Sequence, residues 1–123
     1  MPVLDVEIVL LPDESIGEDL SSKLADAAAE IFGSAHGTTW LKLWPIKASN
    51  YAENGQLTKA GIFPVFVNVL KSVIPENEHL QLEVNLLTEA VANICKRSIE
   101  NVHIIYQPAA MGQVAFGGKL KKR

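Results

Sequence analysis

Displaced against itself by 63 positions, this sequence lays punctuation on punctuation. Pro12 falls on Pro75, Pro45 on Pro108, Ala52 on Ala115, Gly55 on Gly118 and Leu57 on Leu120. Between them Leu24 meets Leu87, Ala27 meets Ala90, Ala29 meets Ala92 and Ile31 meets Ile94, with no gap needed. Coincidence at turns and apolar positions marks one supersecondary unit used twice. A chain of 123 residues has room for a single domain. The expectation is therefore one domain built from two repeats, about residues 2–60 and 65–123.

Each copy reads strand, helix, strand. Val3–Leu11 places Leu4, Val6, Ile8 and Leu10 on one face and Asp5 and Glu7 on the other, the alternation of a strand. Its counterpart is Val65–Val73. Pro12 and Pro75 end these strands, because proline has no N–H for the ladder. Ser15 and Glu18 have capping-box spacing, which starts the first helix at Ser15. Ile16, Leu20, Leu24, Ala27 and Ile31 then form one apolar stripe, and Gly33 is placed to cap its end. Leu80, Val84, Leu87, Val91 and Ile94 repeat the stripe, with Lys96 and Arg97 in the last turn, where cations suit the helix dipole.

The second strands are Thr39–Trp44 and Val102–Gln107. So long a connection brings the two strands of each unit together in parallel, by a right-handed crossover. The fold class expected is α+β: duplicated β-α-β units forming a four-stranded mixed sheet with two helices on one face. The other face stays open and largely apolar, which implies oligomerisation.

Charge and composition exclude several functions. A net charge of -3 and a pI near 5.6 give no electrostatic case for nucleic acid. Lys119, Lys121, Lys122 and Arg123 read as a solvated basic tail. No apolar run approaches the roughly 20 residues of a membrane span, and Asp5 and Glu7 interrupt what could be a signal sequence. The lone Cys95 lies among Val91, Ala92 and Ile94 at helical spacing, so it reads as core in a reducing compartment. A cytoplasmic location is expected. His36 and His79 make no ligand pattern with Cys95, so neither metal nor other cofactor is expected.

Pro2, a β-α-β unit used twice, and a chain end carrying Gly117-Gly118 together resemble the tautomerase superfamily, which includes the 4-oxalocrotonate tautomerases and macrophage migration inhibitory factor. The stretch from Asn101 to Gly118 is similar to that family's last strand and hairpin, and Thr39 to Gly55 is its first-repeat version. The resemblance covers nearly the whole chain. It implies a homotrimer with a small-molecule site near each Pro2.

What the resemblance implies for Pro2 is a base. Taken alone, proline is an ordinary second residue. Removal of Met1 would make it a secondary amine. Free α-amino groups titrate near pH 8, and apolar surroundings disfavour the cation and pull the value toward neutrality. Such a base can take an α-proton and return it elsewhere, interconverting keto and enol forms of a small 2-oxo acid.

Developing enolate charge needs a donor or cation. The arginines with which the short relatives hold a dicarboxylate fall, by count, at Pro12 and at Trp40 or His103, so only the general plan carries over. Four candidates remain. Lys71 reads as a compact cation for a carboxylate or as a solvated lysine at a strand end. His103 reads as a donor to oxygen or a structural histidine. Tyr51 and Trp40 read as packing groups or pocket walls, and Phe116 matches a pocket-edge aromatic of the inhibitory factor. Dehalogenase members carry a glutamate where this chain has Ala115. Glu53 holds the equivalent place in the first repeat, which keeps a hydratase alternative open. The other alternative is a non-enzymatic trimeric binding or signalling module.

Overall fold

The computed structural model describes residues 2–55 and 62–121. Met1, residues 56–61 with Leu57 among them, and residues 122–123 lie outside. The elements in order are β1 (Pro2–Val9), α1 (Leu20–Phe32), β2 (Trp40–Ile46), β3 (Val65–Lys71), α2 (Asn77–Cys95), β4 (Val102–Tyr106), β5 (Ala115–Phe116) and β6 (Lys119–Leu120). Four strands form one sheet in the order β2-β1-β3-β4. β1 runs parallel to β2, β3 runs parallel to β4, and the central β1–β3 pair is antiparallel. This is the mixed sheet that two joined β-α-β units require.

Strand alternation decides which side chains meet the helices. Leu4, Val6 and Ile8 of β1 lie opposite Val69, Val67 and Val65 of β3, and all six are fully buried. Leu24 and Ala28 of α1 and Leu87, Val91, Ala92 and Cys95 of α2 close over them in the same cluster. Branched residues at directly opposed positions fill a pleated surface well, which is why the valine-rich β3 sits centrally.

Alanines give α1 its helix propensity, and Gly33 ends it with φ 65°. Ser34 N–H donates to Ala29 O and Gly33 N–H to Glu30 O, the paired bonds of a Schellman cap. The start differs from the sequence expectation. Ser15 does not cap the helix; α1 begins at Leu20 behind Asp19. Glu14 is the reason, because its carboxylate takes the Leu11 N–H and two bonds from Arg97 and holds residues 11–14 in a turn.

Arg97 is a second departure. α2 stops at Cys95, and Lys96 takes the left-handed cap position with φ 57°. Arg97 then folds inward, its side chain 4% exposed. It donates to the carbonyls of Phe63, Cys95 and Val9 at 2.9–3.0 Å and to Glu14 at 2.7 Å. It thereby ties the end of β1 and the approach to β3 under the end of α2. Cys95 beside it is buried, and burial pushes its thiol up to about 11.

The face away from the helices is less apolar than expected. Trp40, Trp44 and Ile105 are exposed on it. Its middle, however, is polar: Asp5 pairs with Lys42 at 3.2 Å and accepts the Trp44 indole N–H at 3.1 Å. β1 and β3 end earlier than their apolar runs, at Val9 and Lys71, and β2 runs past Trp44 to Ile46. No helix among the described residues is long and apolar enough to cross a membrane.

Candidate active site

Pro2 is the first residue of β1. As an even-numbered position it lies on the helix side of the sheet and is buried. Its partner across the antiparallel ladder is Lys71, the last residue of β3. Directly opposed residues share a face, so Lys71 also projects beneath the helices.

The Lys71 ammonium lies 2.7 Å from Glu83 Oε1 of α2 and 4.5 Å from the centre of the Phe32 ring at the end of α1. The other Glu83 oxygen accepts the Tyr106 hydroxyl of β4. Burial, then the bond to the Glu83 carboxylate and its charge, push the Tyr106 phenol well above its ordinary value. A cation, a carboxylate and a neutral phenol therefore form a closed group beside Pro2.

Val3 points the other way, to the open face, where its register partner is Trp40. The Trp40 ring meets Phe116 edge-on, with centroids 5.1 Å apart and planes at 85°. Its indole N–H is committed to Gly37 O at 3.0 Å. Phe116 is brought there by the β5–β6 hairpin, in which it pairs with Lys119 across Gly117 and Gly118. Those two glycines have φ 59° and 85°, and a two-residue turn with both central φ positive matches the twist of a hairpin. Val3, Gly37, Thr38, Trp40, Phe116 and Lys121 line a cavity of about 150 Å³ between β2 and this hairpin.

His103 and Tyr51 belong to a different group. Both rings pack on Phe66, at 5.3 and 6.0 Å between centroids. Phe66 pairs with Glu7, five residues along β1 from Pro2, which is roughly 17 Å at the rise of a strand. Within one chain His103 and Lys71 are thus not brought together. The Tyr51 hydroxyl donates to Glu53 at 2.6 Å, and this bond, with some burial, pushes the phenol up to about 12. Glu53, the candidate of the hydratase alternative, is engaged by that tyrosine.

Sequence reasoning missed Lys121, Glu83 and Tyr106. Lys119 and Lys121 are exposed, as a solvated run would be, but their backbone is held in the hairpin rather than loose. Lys119 is in β6, and the Lys121 backbone is bonded on both sides, N–H to Val114 O at 2.8 Å and O to Gly112 N–H at 2.9 Å. The Gly-Gly turn was the available signal, since it folds the lysines back toward Phe116. Among the described residues no three His, Cys, Asp or Glu side chains converge as a metal site requires.

A mixed four-stranded sheet of two β-α-β units with two helices on one face is the tautomerase fold. No family model and no curated protein matches the chain in sequence. Solved structures do. A wild-type fused 4-OT, a symmetric trimer, superposes with a TM-score of 0.74 at 16% identity, covering 97% of this chain and 94% of that one. FG41 malonate semialdehyde decarboxylase inhibited by 3-bromopropiolate gives 0.70 at 18% identity, over 94% and 88%. The macrophage migration inhibitory factor homologue of Prochlorococcus marinus gives 0.73 at 11% identity, over 95% and 96%.

Proposed function

We propose that this chain is a tautomerase of that superfamily, an isomerase whose base is the Pro2 amine, made free by removal of Met1. The observation that carries the reading is the position of Pro2. It begins the central strand of a tautomerase fold, buried at the end of β1 where the next residue lines an aromatic cavity. A secondary amine there is shielded from water on the helix side, and burial disfavours its cation. A neutral amine accepts the proton of an enol hydroxyl or an α-carbon of a small 2-oxo acid and returns it to the other site, so protons balance and the base is regenerated.

Trimeric 4-OT structures and the open sheet face with Trp40, Trp44 and Ile105 exposed support a homotrimer. The test is ketonisation of phenylenolpyruvate by three preparations: the authentic N-terminus, a chain with an uncleaved N-terminal tag, and Pro2→Ala. Only the first should be fully active, and its intact mass should lack Met1. Full activity in a homogeneous Met1-retaining preparation would refute the mechanism.

A further inference from the structure

Three side chains of the second repeat differ in kind from their counterparts in the first. Lys71, Glu83 and Tyr106 stand 63 positions after Ile8, Leu20 and Leu43. The early trio is apolar: Ile8 is fully buried, and Leu20 and Leu43 pack against the same core. The late trio holds the matching places in β3, α2 and β4, joined by the 2.7 Å ion pair and the Tyr106–Glu83 bond. One backbone plan thus stands with either set. Burying a cation and a carboxylate costs desolvation that an apolar set of similar volume avoids, so packing alone gives no reason for the charges.

Location supplies a reason. Across the β1–β3 ladder Ile8 faces Val65 and Lys71 faces Pro2, and Val65 is itself 63 positions after Pro2. One end of the ladder therefore sets valine beside the apolar trio, and the other sets Pro2 beside the charged one. Directly opposed residues hold their Cβ atoms about 4.5–5.5 Å apart, which starts the Lys71 side chain next to Pro2. From there its ammonium reaches Glu83 and the Phe32 ring, 4.5 Å from the ring centre.

On the basis of the Pro2 reading, on which this rests, we propose that Glu83 is a positioning residue of the isomerase. It holds the Lys71 ammonium under α2 and cancels its charge, so that Pro2 can become a cation when it takes the substrate proton. The Pro2 nitrogen gains a positive charge with that proton and loses it when the proton is returned at the other site. An unanswered ammonium beside it opposes the first step. Glu83 acts through Lys71, and Tyr106 fixes its second oxygen. Other charged groups stand apart from this cluster. Asp5 and Glu7 of β1 and Lys42 of β2 are on the open face, where Asp5 and Lys42 pair. Lys121 lines the cavity beside Val3. Glu30 of α1 and Glu76, Glu78 and His79 around the start of α2 are exposed.

The Pro2 amine can be titrated directly. The chain has six prolines, and only Pro2, with Met1 removed, has a nitrogen that takes a proton. Nitrogen-15 proline labelling therefore reports its midpoint by NMR without substrate. Glu83→Gln should lower that midpoint by about one pH unit. The double variant Lys71→Met/Glu83→Leu, which removes both charges, should return it to within about 0.3 unit of the parent. The acid limb of kcat/KM for phenylenolpyruvate should move with the midpoint, while KM stays within about twofold. If Glu83→Gln does not fold, Lys71→Gln reads the coupling in reverse and should raise the midpoint. A midpoint that stays put in whichever single variant folds, or that stays displaced in the double variant, overturns the proposal. A chain without isomerase activity still gives this titration, and a failed coupling leaves the assay of the three Pro2 preparations as it stands.

Discussion

The Lys71 ammonium and Glu83 Oε1 are 2.7 Å apart, with side chains only 15% and 10% exposed. This pair joins the last residue of β3 to the middle of α2 beneath the sheet edge where Pro2 begins. Desolvation makes such a pair expensive to break from one side, since the remaining charge is left buried. Lys71→Met and Glu83→Leu should each cost about 3–5 kcal/mol, and the double variant should recover most of the loss. Urea midpoints of the four proteins check this. Single variants within about 1 kcal/mol of the parent would show the pair to be solvated.

Tyr106 extends the pair, and its phenol is raised by burial and by Glu83. A group whose folded-state value is raised stabilises fully below its unfolded value and loses that stabilisation as pH climbs through the folded value. The Tyr106 contribution is thus intact up to about pH 10 and disappears above it. Phenolate absorbance of the folded protein should stay low past pH 10, because Tyr51 is also held up, to about 12. Tyr106→Phe should flatten the alkaline decline in stability. A normal phenolate titration in the native protein would contradict the Tyr106–Glu83 bond.

Glu14 works at the acid end. Burial opposes its charge, but the bonds from Arg97 and the Leu11 N–H, with the Arg97 charge, outweigh it and leave the carboxyl below its ordinary 4.5. A lowered folded value gives stability that is present above about pH 4.5 and lost as pH falls through the folded value. Glu14→Gln should lower stability at neutral pH by about 1–3 kcal/mol and remove part of the acid dependence. Denaturation midpoints measured from pH 7 downward test both halves.

Assembly has a direct readout. Light scattering at micromolar concentration should report about three chains per particle, the state of the fused 4-OT structures. Trp44→Lys, on the open face, should shift the particle toward smaller species. A well-folded monomer at that concentration would remove the homotrimer.

Substrate choice follows from the arginines. Arg97 is consumed by Glu14 and three carbonyls, and the arginines that the family resemblance would lead one to look for fall, by count, at Pro12 and at Trp40 or His103, none of which is an arginine. Each missing charge-assisted bond costs about 1.5–3 kcal/mol of binding. Phenylenolpyruvate should therefore be turned over better than 2-hydroxymuconate. Comparing kcat/KM for the two decides it, and a preference for the dicarboxylate would count against the pocket described.

Much of the fold was legible because it is written locally. Alternation along β1 and β3 dictates a buried face, the stripes of α1 and α2 dictate what covers it, and Gly33 can adopt the left-handed cap that other residues resist. Pro2 stood out as a candidate base through the family resemblance, since by itself it is an ordinary second residue. Interactions between distant residues were not. The Ser15 capping box lost to Glu14 because Arg97, far along the chain, claims that carboxylate. Lys71 as a strand-end cation could be read from the sequence, but its partner Glu83 sits on a helix that only packing brings over the sheet. Lys121 looked like solvated tail until the Gly117-Gly118 turn laid it against the Trp40–Phe116 cavity. Side-chain period and backbone preference act over a few residues, so the sequence by itself determines elements and faces. Which charges meet is decided by chain closure, and only the tertiary structure contains that.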